Sequence, residues 1–195
     1  MKIAIIGSGF FGLATAFELL KKGHDVTVFE KETDILQGAS KKNQLRFHLG
    51  YHYPRSQATV NEVKRANKEF TKFYTNSVFG KTQNYYSISL VNSKTSLKTY
   101  LRFVSKNKLY LKKTLIPFNK SLTSEFYLSK EKNLNYFKFK NIIKKKIQKY
   151  KLNLKKNTQF LKKDLENYDK VIVSCYSGNN QVLNKLGIKK IPKHR

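Results

Sequence analysis

Apolar residues follow two different spacings in the first thirty positions of the chain. Residues 3–6 are consecutive and mostly β-branched, which is typical of a strand buried on both faces of a parallel sheet. Apolar positions then recur every three or four residues over 10–22, and Gly23 follows, so the spacing predicts a helix with a glycine stop. A second apolar run over 26–29 predicts another strand. The pattern therefore predicts a strand–helix–strand unit of an α/β fold.

Beyond this unit, the hydrophobic spacing predicts a mixture of helices and strands. The polar, small-residue stretch 37–44 predicts a loop. Helical spacing covers 58–74, 96–103 and 134–150, and strand-like patterns cover 85–91, 152–154 and 171–173. The last of these strands is followed by a turn of small residues that contains Cys175 and Gly178. A second strand that ends in small residues places another backbone edge beside a bound nucleotide in an open α/β sheet.

The turn after the first strand has the glycine spacing of a dinucleotide site. Gly7 allows the tight turn, Gly9 lets the backbone approach a pyrophosphate, and Gly12 lets the helix pack closely on the sheet. The amino end of the helix favours a phosphate through its free N–H groups and its dipole. Glu30 ends the second strand, where an acid accepts hydrogen bonds from ribose hydroxyls. A glycine turn in an unrelated α/β domain is the alternative interpretation.

The same segment has a second alternative interpretation, a secretory signal. Lys2 precedes a mostly apolar stretch, and residues 14–16 imitate a cleavage site. However, only one basic residue precedes the stretch, Glu18 lies inside it, and glycines interrupt it. These features favour the nucleotide-binding unit over a signal peptide.

The charge of the chain is extreme and uneven. Forty basic residues against twelve acidic ones give a net charge of +28, of which +3 belongs to residues 1–60 and +25 to residues 61–195. Thirty-five of the forty are lysines, whereas nucleic-acid surfaces usually use arginine for bidentate and stacking contacts. Nucleic-acid binding is therefore not favoured. A protein that binds single strands is still an alternative, because the tyrosines, phenylalanines and lysines of 136–156 could stack on bases and contact phosphates.

Other features of the composition indicate a cytoplasmic protein. Cys175 is the only cysteine, which excludes a disulfide framework within one chain and suits a reducing compartment. No other stretch is typical of a membrane span. The lysines of 134–150 are interpreted as the solvated face of an ordinary helix, with a membrane-surface or nucleic-acid helix as the functional alternative.

Taken in order, these segments resemble the FAD-dependent oxidoreductases of the D-amino-acid oxidase family. The resemblance covers nearly the whole chain but about the first half of a family member. It implies an α/β fold, with a Rossmann-like FAD-binding domain over 1–78 and 135–195. It also implies the start of an inserted β-rich substrate domain over 79–134. The prediction that the cofactor is FAD and not NAD rests on the resemblance.

The resemblance also implies which residues contact the cofactor and the substrate. The cofactor-binding residues implied are Gly7, Ser8, Gly9, Phe10, Phe11, Gly12, Glu30, Lys31, Ala39, Ser40, Asn43, Cys175 and Gly178. The segment 50–56 resembles the loop that passes the flavin ring. Arg46 and Arg55 are candidates for an anionic group of the substrate, since arginine suits carboxylates. No catalytic residue is assigned.

The function implied is the oxidation of a small amine or hydroxy substrate. Family members continue for about as long again. The chain could therefore be a fragment, a split gene product or a decayed copy of a family member. We do not predict oxidase activity for this polypeptide on its own. A non-catalytic dinucleotide-binding subunit, completed by a second polypeptide, is the main alternative. A non-redox flavoenzyme also stays open, because the fingerprint identifies the cofactor and not the reaction.

Two histidines receive a separate interpretation. His48 and His52 stand four apart, a spacing that suits a metal on a helix. Gly50 lies between them, Pro54 follows, and no carboxylate is expected nearby, so we expect loop residues near the flavin rather than metal ligands.

Overall fold

The computed structural model describes residues 1–80, 82–115 and 122–189. The strands are β1 (Lys2–Ile6), β2 (Asp25–Phe29), β3 (Arg46–Phe47), β4 (Val78–Phe79), β5 (Asn84–Tyr86), β6 (Leu111–Thr114), β7 (Phe126–Ser129), β8 (Lys132–Leu134), β9 (Asn153–Lys155) and β10 (Lys170–Val173). The helices are α1 (Phe10–Lys21), α2 (Ala39–Lys42), α3 (Gln57–Tyr74), α4 (Leu97–Lys106), α5 (Tyr136–Lys149) and α6 (Asn179–Lys185). The last six residues of the domain predicted over 135–195 lie outside the described residues, as do Lys81 and 116–121 of the predicted insertion.

The chain divides into two compact units. The first unit contains residues 1–44 and 140–195, and the second contains residues 45–139. The second unit therefore includes 45–78, which the sequence interpretation assigns to the FAD-binding domain. The physical reason is strand pairing, because β3 and β4 both pair with β8. The packing boundary lies earlier than residue 78, and the predicted functional domains stay a prediction.

The first unit is built on a four-stranded parallel sheet in the order β10–β1–β2–β9. Ile5 of β1 lies between Val28 of β2 and Ile172 of β10. All four strands agree with runs that the apolar pattern predicts, and the α/β fold class is confirmed. Carboxyl ends of parallel strands meet at one edge of a sheet, so the turns after β1, β2 and β10 are neighbours.

The core of the first unit covers this sheet. On one side, Ala4 and Ile6 pack with Phe29, Phe160 and Leu186. Helix α1 contacts β1 and β2 and buries Leu13, Ala16 and Phe17, whereas Leu20, the fourth residue of the predicted apolar face, is only partly buried. Burying one leucine or phenylalanine side chain stabilises a fold by about 1.5–3 kcal/mol, so this face anchors the helix whose amino end forms the site.

The second unit is rich in antiparallel strands, as predicted for a substrate-domain insertion. Its sheets have the orders β3–β8–β4 and β5–β7–β6. Tyr51, Val60, Tyr86, Tyr100, Phe103 and Val104 form its core cluster. The strand predicted over 85–91 is shorter than expected, because β5 ends at Tyr86. Beyond it, the pairing is reduced to one isolated antiparallel bridge between Ser89 and Thr123, and Ile88 N donates to the Ser124 hydroxyl at 2.9 Å instead of to a backbone carbonyl.

None of the helices in the described part of the chain combines the length and the apolar character needed to cross a membrane.

Candidate dinucleotide-binding site

The glycine turn between β1 and α1 is packed too closely for any other residue at two positions. Gly7 has a φ of +105°, and a Cβ added to it would lie 2.5 Å from the Ser174 carbonyl oxygen. A Cβ on Gly12 would lie 2.1 Å from the Gly7 carbonyl oxygen. Gly7 N also donates to Phe29 O at 2.8 Å, which ties the turn to β2. The turn is therefore fixed by its contacts with β2 and with the residue after β10.

The amino end of α1 is open at Gly9. A Cβ added there would meet only the Ser40 hydroxyl, at 3.6 Å. That hydroxyl accepts a hydrogen bond from Phe10 N at 3.0 Å. The predicted loop over 37–44 contains the short helix α2, which carries Ser40 to this position. The first N–H groups of an α-helix have no acceptor within the helix, so this end is suited to phosphate oxygens.

Glu30 lies directly after β2 and beside the glycine turn. Its Oε2 accepts hydrogen bonds from Ser8 N at 2.9 Å and from the Ser8 hydroxyl at 2.6 Å, and its Oε1 accepts one from Glu32 N at 3.0 Å. A carboxylate offers about four acceptor positions, so the group retains capacity for another donor. Ser8 is fully buried and thereby fixes the orientation of this carboxylate.

The turn after β10 closes the other side of the glycine turn. Cys175 Sγ donates to Ile6 O at 3.3 Å, and it would lie 3.4 Å from a Cβ on Gly7. Burial, assisted by the negative charge of Glu30, raises the pKa of the Cys175 thiol. A raised pKa disfavours the thiolate, which is the nucleophilic form of cysteine. Gly178 N donates to Cys175 O at 2.9 Å, which shapes the turn that the sequence analysis predicts.

The other predicted cofactor residues have less distinctive surroundings. Phe11 is 77% exposed in the first turn of α1. Lys31 is exposed after Glu30, and its Nζ lies 3.7 Å from a Glu32 carboxylate oxygen. Ala39 begins α2, and Asn43 follows its last residue. All the predicted cofactor residues belong to the first unit.

A second group of polar side chains belongs to the second unit and centres on Glu131. The Glu131 side chain is 0% exposed, and its Oε2 accepts from Arg46 at 2.9 Å and from the Tyr86 hydroxyl at 2.6 Å. Its Oε1 accepts from Leu49 N at 2.8 Å and lies 3.8 Å from His48 Nδ1. The expectation that no carboxylate is near the two histidines is therefore wrong in three dimensions. Its cause is the pairing of β3 with β8, which brings His48 close to Glu131 although they are 83 positions apart in the sequence.

Electrostatics in this group follow from burial and from the ion pair. Burial of Glu131 opposes ionisation, but contacts with His48 and Tyr86, the Leu49 N–H and the Arg46 charge outweigh it and hold its pKa at about 2. Burial and the contact with Glu131 raise the pKa of Tyr86. Burial, together with the positive charge of Arg46, lowers the pKa of His52.

The two arginines proposed for an anionic substrate differ in their surroundings. Arg46 is committed to Glu131 and lies over the Tyr86 ring, 5.1 Å from its centroid. Arg55 is exposed in the segment before α3. Glu131 and Tyr86 were missed by the sequence interpretation. The available signal for Glu131 was its scarcity, since it is one of seven acidic residues in 61–195.

Comparison with known proteins identifies the family. A family model described as FAD dependent oxidoreductase (DAO) matches residues 2–106 of the chain. The chain belongs to this family. FAD-dependent monooxygenase kojA of Aspergillus flavus is 42% identical over 74 residues, which are 38% of this chain and 17% of that protein. The resemblance inferred from the sequence is thus confirmed.

Solved structures show the same fold in this DAO-family chain. Glycine oxidase from Geobacillus kaustophilus matches with a TM-score of 0.67 at 14% identity, over 96% of this chain and 58% of that chain. L-alpha-glycerophosphate oxidase from Mycoplasma pneumoniae, solved with FAD bound, matches with a TM-score of 0.58 at 20% identity, over 81% and 45%. The chain therefore spans little more than half the length of glycine oxidase. Together with the family, these relatives identify FAD as the cofactor and remove NAD, the alternative left by the fingerprint.

Proposed function

We propose that this chain is the FAD-binding part of an oxidoreductase of amino-acid-oxidase type, which oxidises a small amine or hydroxy substrate. The observation that carries the proposal is the junction of the turns after β1, β2 and β10. There the Gly7–Gly12 backbone, the Glu30 carboxylate and the Cys175 turn meet at one sheet edge. Family membership supplies the oxidoreductase class.

The residues of the first unit fit the ADP portion of FAD. The open backbone at Gly9 and the amino end of α1 suit the pyrophosphate, because no side chain other than the Ser40 hydroxyl would meet a Cβ there. Glu30 would accept hydrogen bonds from the ribose hydroxyls, and Ser8 holds that carboxylate in place. Phe11, Lys31, Ala39, Asn43 and Gly178 are proposed to complete the site.

In this proposal the chain binds, orients and encloses the cofactor, and the cofactor supplies the redox chemistry. When bound, FAD accepts the two electrons that leave the substrate carbon bearing the amine or hydroxyl. The glycine turn and Glu30 fix the adenosine end, which determines where the rest of the cofactor can lie. Arg55 remains a proposed contact for an anionic group of the substrate, whereas Arg46 would first have to share its charge with Glu131.

The test is FAD binding by the purified chain and by a Glu30→Ala variant. We expect yellow protein with flavin absorbance, and an affinity for FAD that falls about 10- to 100-fold in the variant, because charge-assisted hydrogen bonds contribute about 1.5–3 kcal/mol each. Glu32→Ala is the matched control, since it keeps the backbone N–H that donates to Glu30. A colourless wild-type chain that FAD cannot reconstitute would overturn the proposal for this polypeptide.

A second candidate function is FAD binding without turnover, as a subunit completed by a second polypeptide. The observation that favours it is that Arg46, one of the two candidates for an anionic group of the substrate, is already paired with Glu131 at 2.9 Å. This candidate predicts flavin absorbance that small amines and hydroxy acids do not bleach under anaerobic conditions. Bleaching by one of these substrates would support the oxidase instead.

A further inference from the structure

We propose that His48, His52 and Glu131 form a binding site for a divalent transition-metal cation of the Zn²⁺ class. One ligand atom from each residue can be chosen so that all three lie within 4.8 Å of one another. The three residues belong to the second unit. The proposal does not rest on the proposed function, because it is argued from the geometry of these three side chains alone, although His52 belongs to the segment 50–56 that resembles the loop passing the flavin ring.

The turn between the two histidines brings their side chains together. Gly50 adopts a φ of +105°, a conformation that residues with a side chain rarely adopt, and a Cβ on it would lie 3.1 Å from Val60. This reversal puts the His48 and His52 rings 4.9 Å apart between centroids, in an edge-to-face arrangement. Two histidines four residues apart are thus brought together by a glycine turn, as they would be on one face of a helix.

Strand pairing supplies the carboxylate. Phe47 of β3 is paired with Lys132 of β8. His48 directly follows β3 and Glu131 directly precedes β8, so this antiparallel pairing makes them neighbours. Leu49 N donates to Glu131 Oε1 at 2.8 Å, while the other oxygen accepts from Tyr86. Hydrogen bonds of this kind orient a metal-binding carboxylate and are a regular part of metal sites.

The third observation is an unused ligand atom. His48 Nδ1 is buried, and no hydrogen bond reaches it from the described residues of the chain. It lies 3.8 Å from Glu131 Oε1, beyond hydrogen-bond length. Ligand atoms on a tetrahedral zinc ion are about 3.4 Å apart, given bond lengths of about 2.1 Å. A small contraction, with rotation of the exposed His52, would complete the site.

The donor set selects the class of metal. Two imidazoles and one carboxylate are a known set of protein ligands for zinc, which leaves a fourth position open for water or another ligand. Mg²⁺ and Ca²⁺ prefer oxygen ligands throughout and are therefore disfavoured. Arg46 binds Oε2 of Glu131, whereas His48 lies beside Oε1, and the positive charge of Arg46 opposes the binding of a cation by this carboxylate. We therefore expect Zn²⁺ affinity to rise in an Arg46→Gln variant.

The test is calorimetric titration of the tag-free chain with Zn²⁺ and, separately, with Mg²⁺. We expect one Zn²⁺ to bind per chain, Mg²⁺ to give no saturable heat, and His52→Ala to weaken Zn²⁺ binding on the order of 10-fold or more. His52 is exposed, so this variant should fold, as circular dichroism would verify. His24→Ala, a histidine of the first unit, is the matched control and should leave the titration unchanged.

Glu131→Gln is the second variant and should also weaken Zn²⁺ binding on the order of 10-fold or more. Zn²⁺ affinity equal in the wild type, His52→Ala and Glu131→Gln would overturn the proposal, as would the absence of saturable binding by the wild type. Flavin absorbance is recorded on the same samples, so loss of FAD binding and loss of Zn²⁺ binding are read separately.

Discussion

At the scale of single residues, the glycine turn is decided by distances rather than by flexibility alone. Gly7 needs both its left-handed backbone and its lack of a side chain, because Ser174 is so near. Gly12 needs only the second, since the Gly7 carbonyl occupies the place of its Cβ. The fingerprint states these requirements in sequence form, and the structure confirms them for both positions.

A Gly12→Ala variant should be destabilised. Its Cβ would lie 2.1 Å from backbone, which cannot rotate away, so α1 must move off the sheet. Overpacking of this kind costs about 1–3 kcal/mol, measured as a lower midpoint of urea unfolding. Gly9→Ala is the control, because its backbone is extended at φ −64° and ψ 173° and its added Cβ would meet only the Ser40 hydroxyl, at 3.6 Å. Equal midpoints for the two variants would contradict the assignment.

Glu131 differs from these glycines because its role is electrostatic. Its pKa of about 2 in the folded chain lies below the ordinary value of 4.5. A depressed carboxyl pKa stabilises the fold above the unfolded value and ceases to do so as the pH falls through the folded value. The contribution is therefore complete above about pH 4.5 and lost between about pH 4.5 and 2.

Urea unfolding in EDTA should show this dependence. We expect the free energy of unfolding of the wild type to fall by about 3 kcal/mol over this range through Glu131 alone. Glu131→Gln should be less stable at neutral pH, because it leaves Arg46 unpaired, and its stability should vary less with pH. Glu69→Gln, which removes an exposed pair with Lys72, is the control. A wild-type slope retained in Glu131→Gln would exclude Glu131 as its source.

At the scale of elements, helix starts are set by serine caps. The Ser56 hydroxyl accepts from Thr59 N at the start of α3, and the Ser96 hydroxyl accepts from Thr99 N at the start of α4. These bonds explain why the helices predicted over 58–74 and 96–103 begin at Gln57 and Leu97.

Removing one cap should cost a predictable amount. Ser96→Ala leaves an N–H without its acceptor and should lower the free energy of unfolding by about 1 kcal/mol, measured by urea titration. Ser96→Asp should restore most of the loss, because aspartate caps equally well. An alanine variant as stable as the wild type would show that this hydroxyl is not a working cap.

Elements near the chain's start were predictable because local spacing determines them. The helix predicted over 10–22 is observed as Phe10–Lys21. The strand predicted over 85–91 was too long, since side-chain bonds of Ser87 and Ser124 interrupt the pairing and leave only an isolated bridge at Ser89. Such bonds depend on a segment 36 residues away and leave no periodic signal.

At the scale of the whole molecule, the net charge of +28 governs weak association. The charge produces a field that attracts polyanions whatever the function of the chain. It is carried mainly by lysine, which makes few directed contacts with bases. The expected interaction is therefore unspecific.

Binding to single-stranded oligonucleotides should depend steeply on salt and weakly on sequence. With about five phosphate contacts, affinity should fall about a hundredfold between about 50 mM and 200 mM salt, measured by fluorescence anisotropy. Oligonucleotides of different sequence serve as mutual controls. Affinity that is maintained at high salt for one sequence would instead favour the nucleic-acid-binding alternative.

The sequence by itself determined the β1–α1–β2 unit, its glycine turn, the position of Glu30 and the family, because these features depend on short-range spacing and on tight backbone turns. Only the tertiary structure decided the surroundings of Glu131. Its contacts with Arg46 and His48 arise from the pairing of β3 with β8, and ion pairs between distant strands have no period in the sequence. The same pairing moved the packing boundary to residue 45, because strands that share hydrogen bonds fold into one unit wherever they stand along the chain.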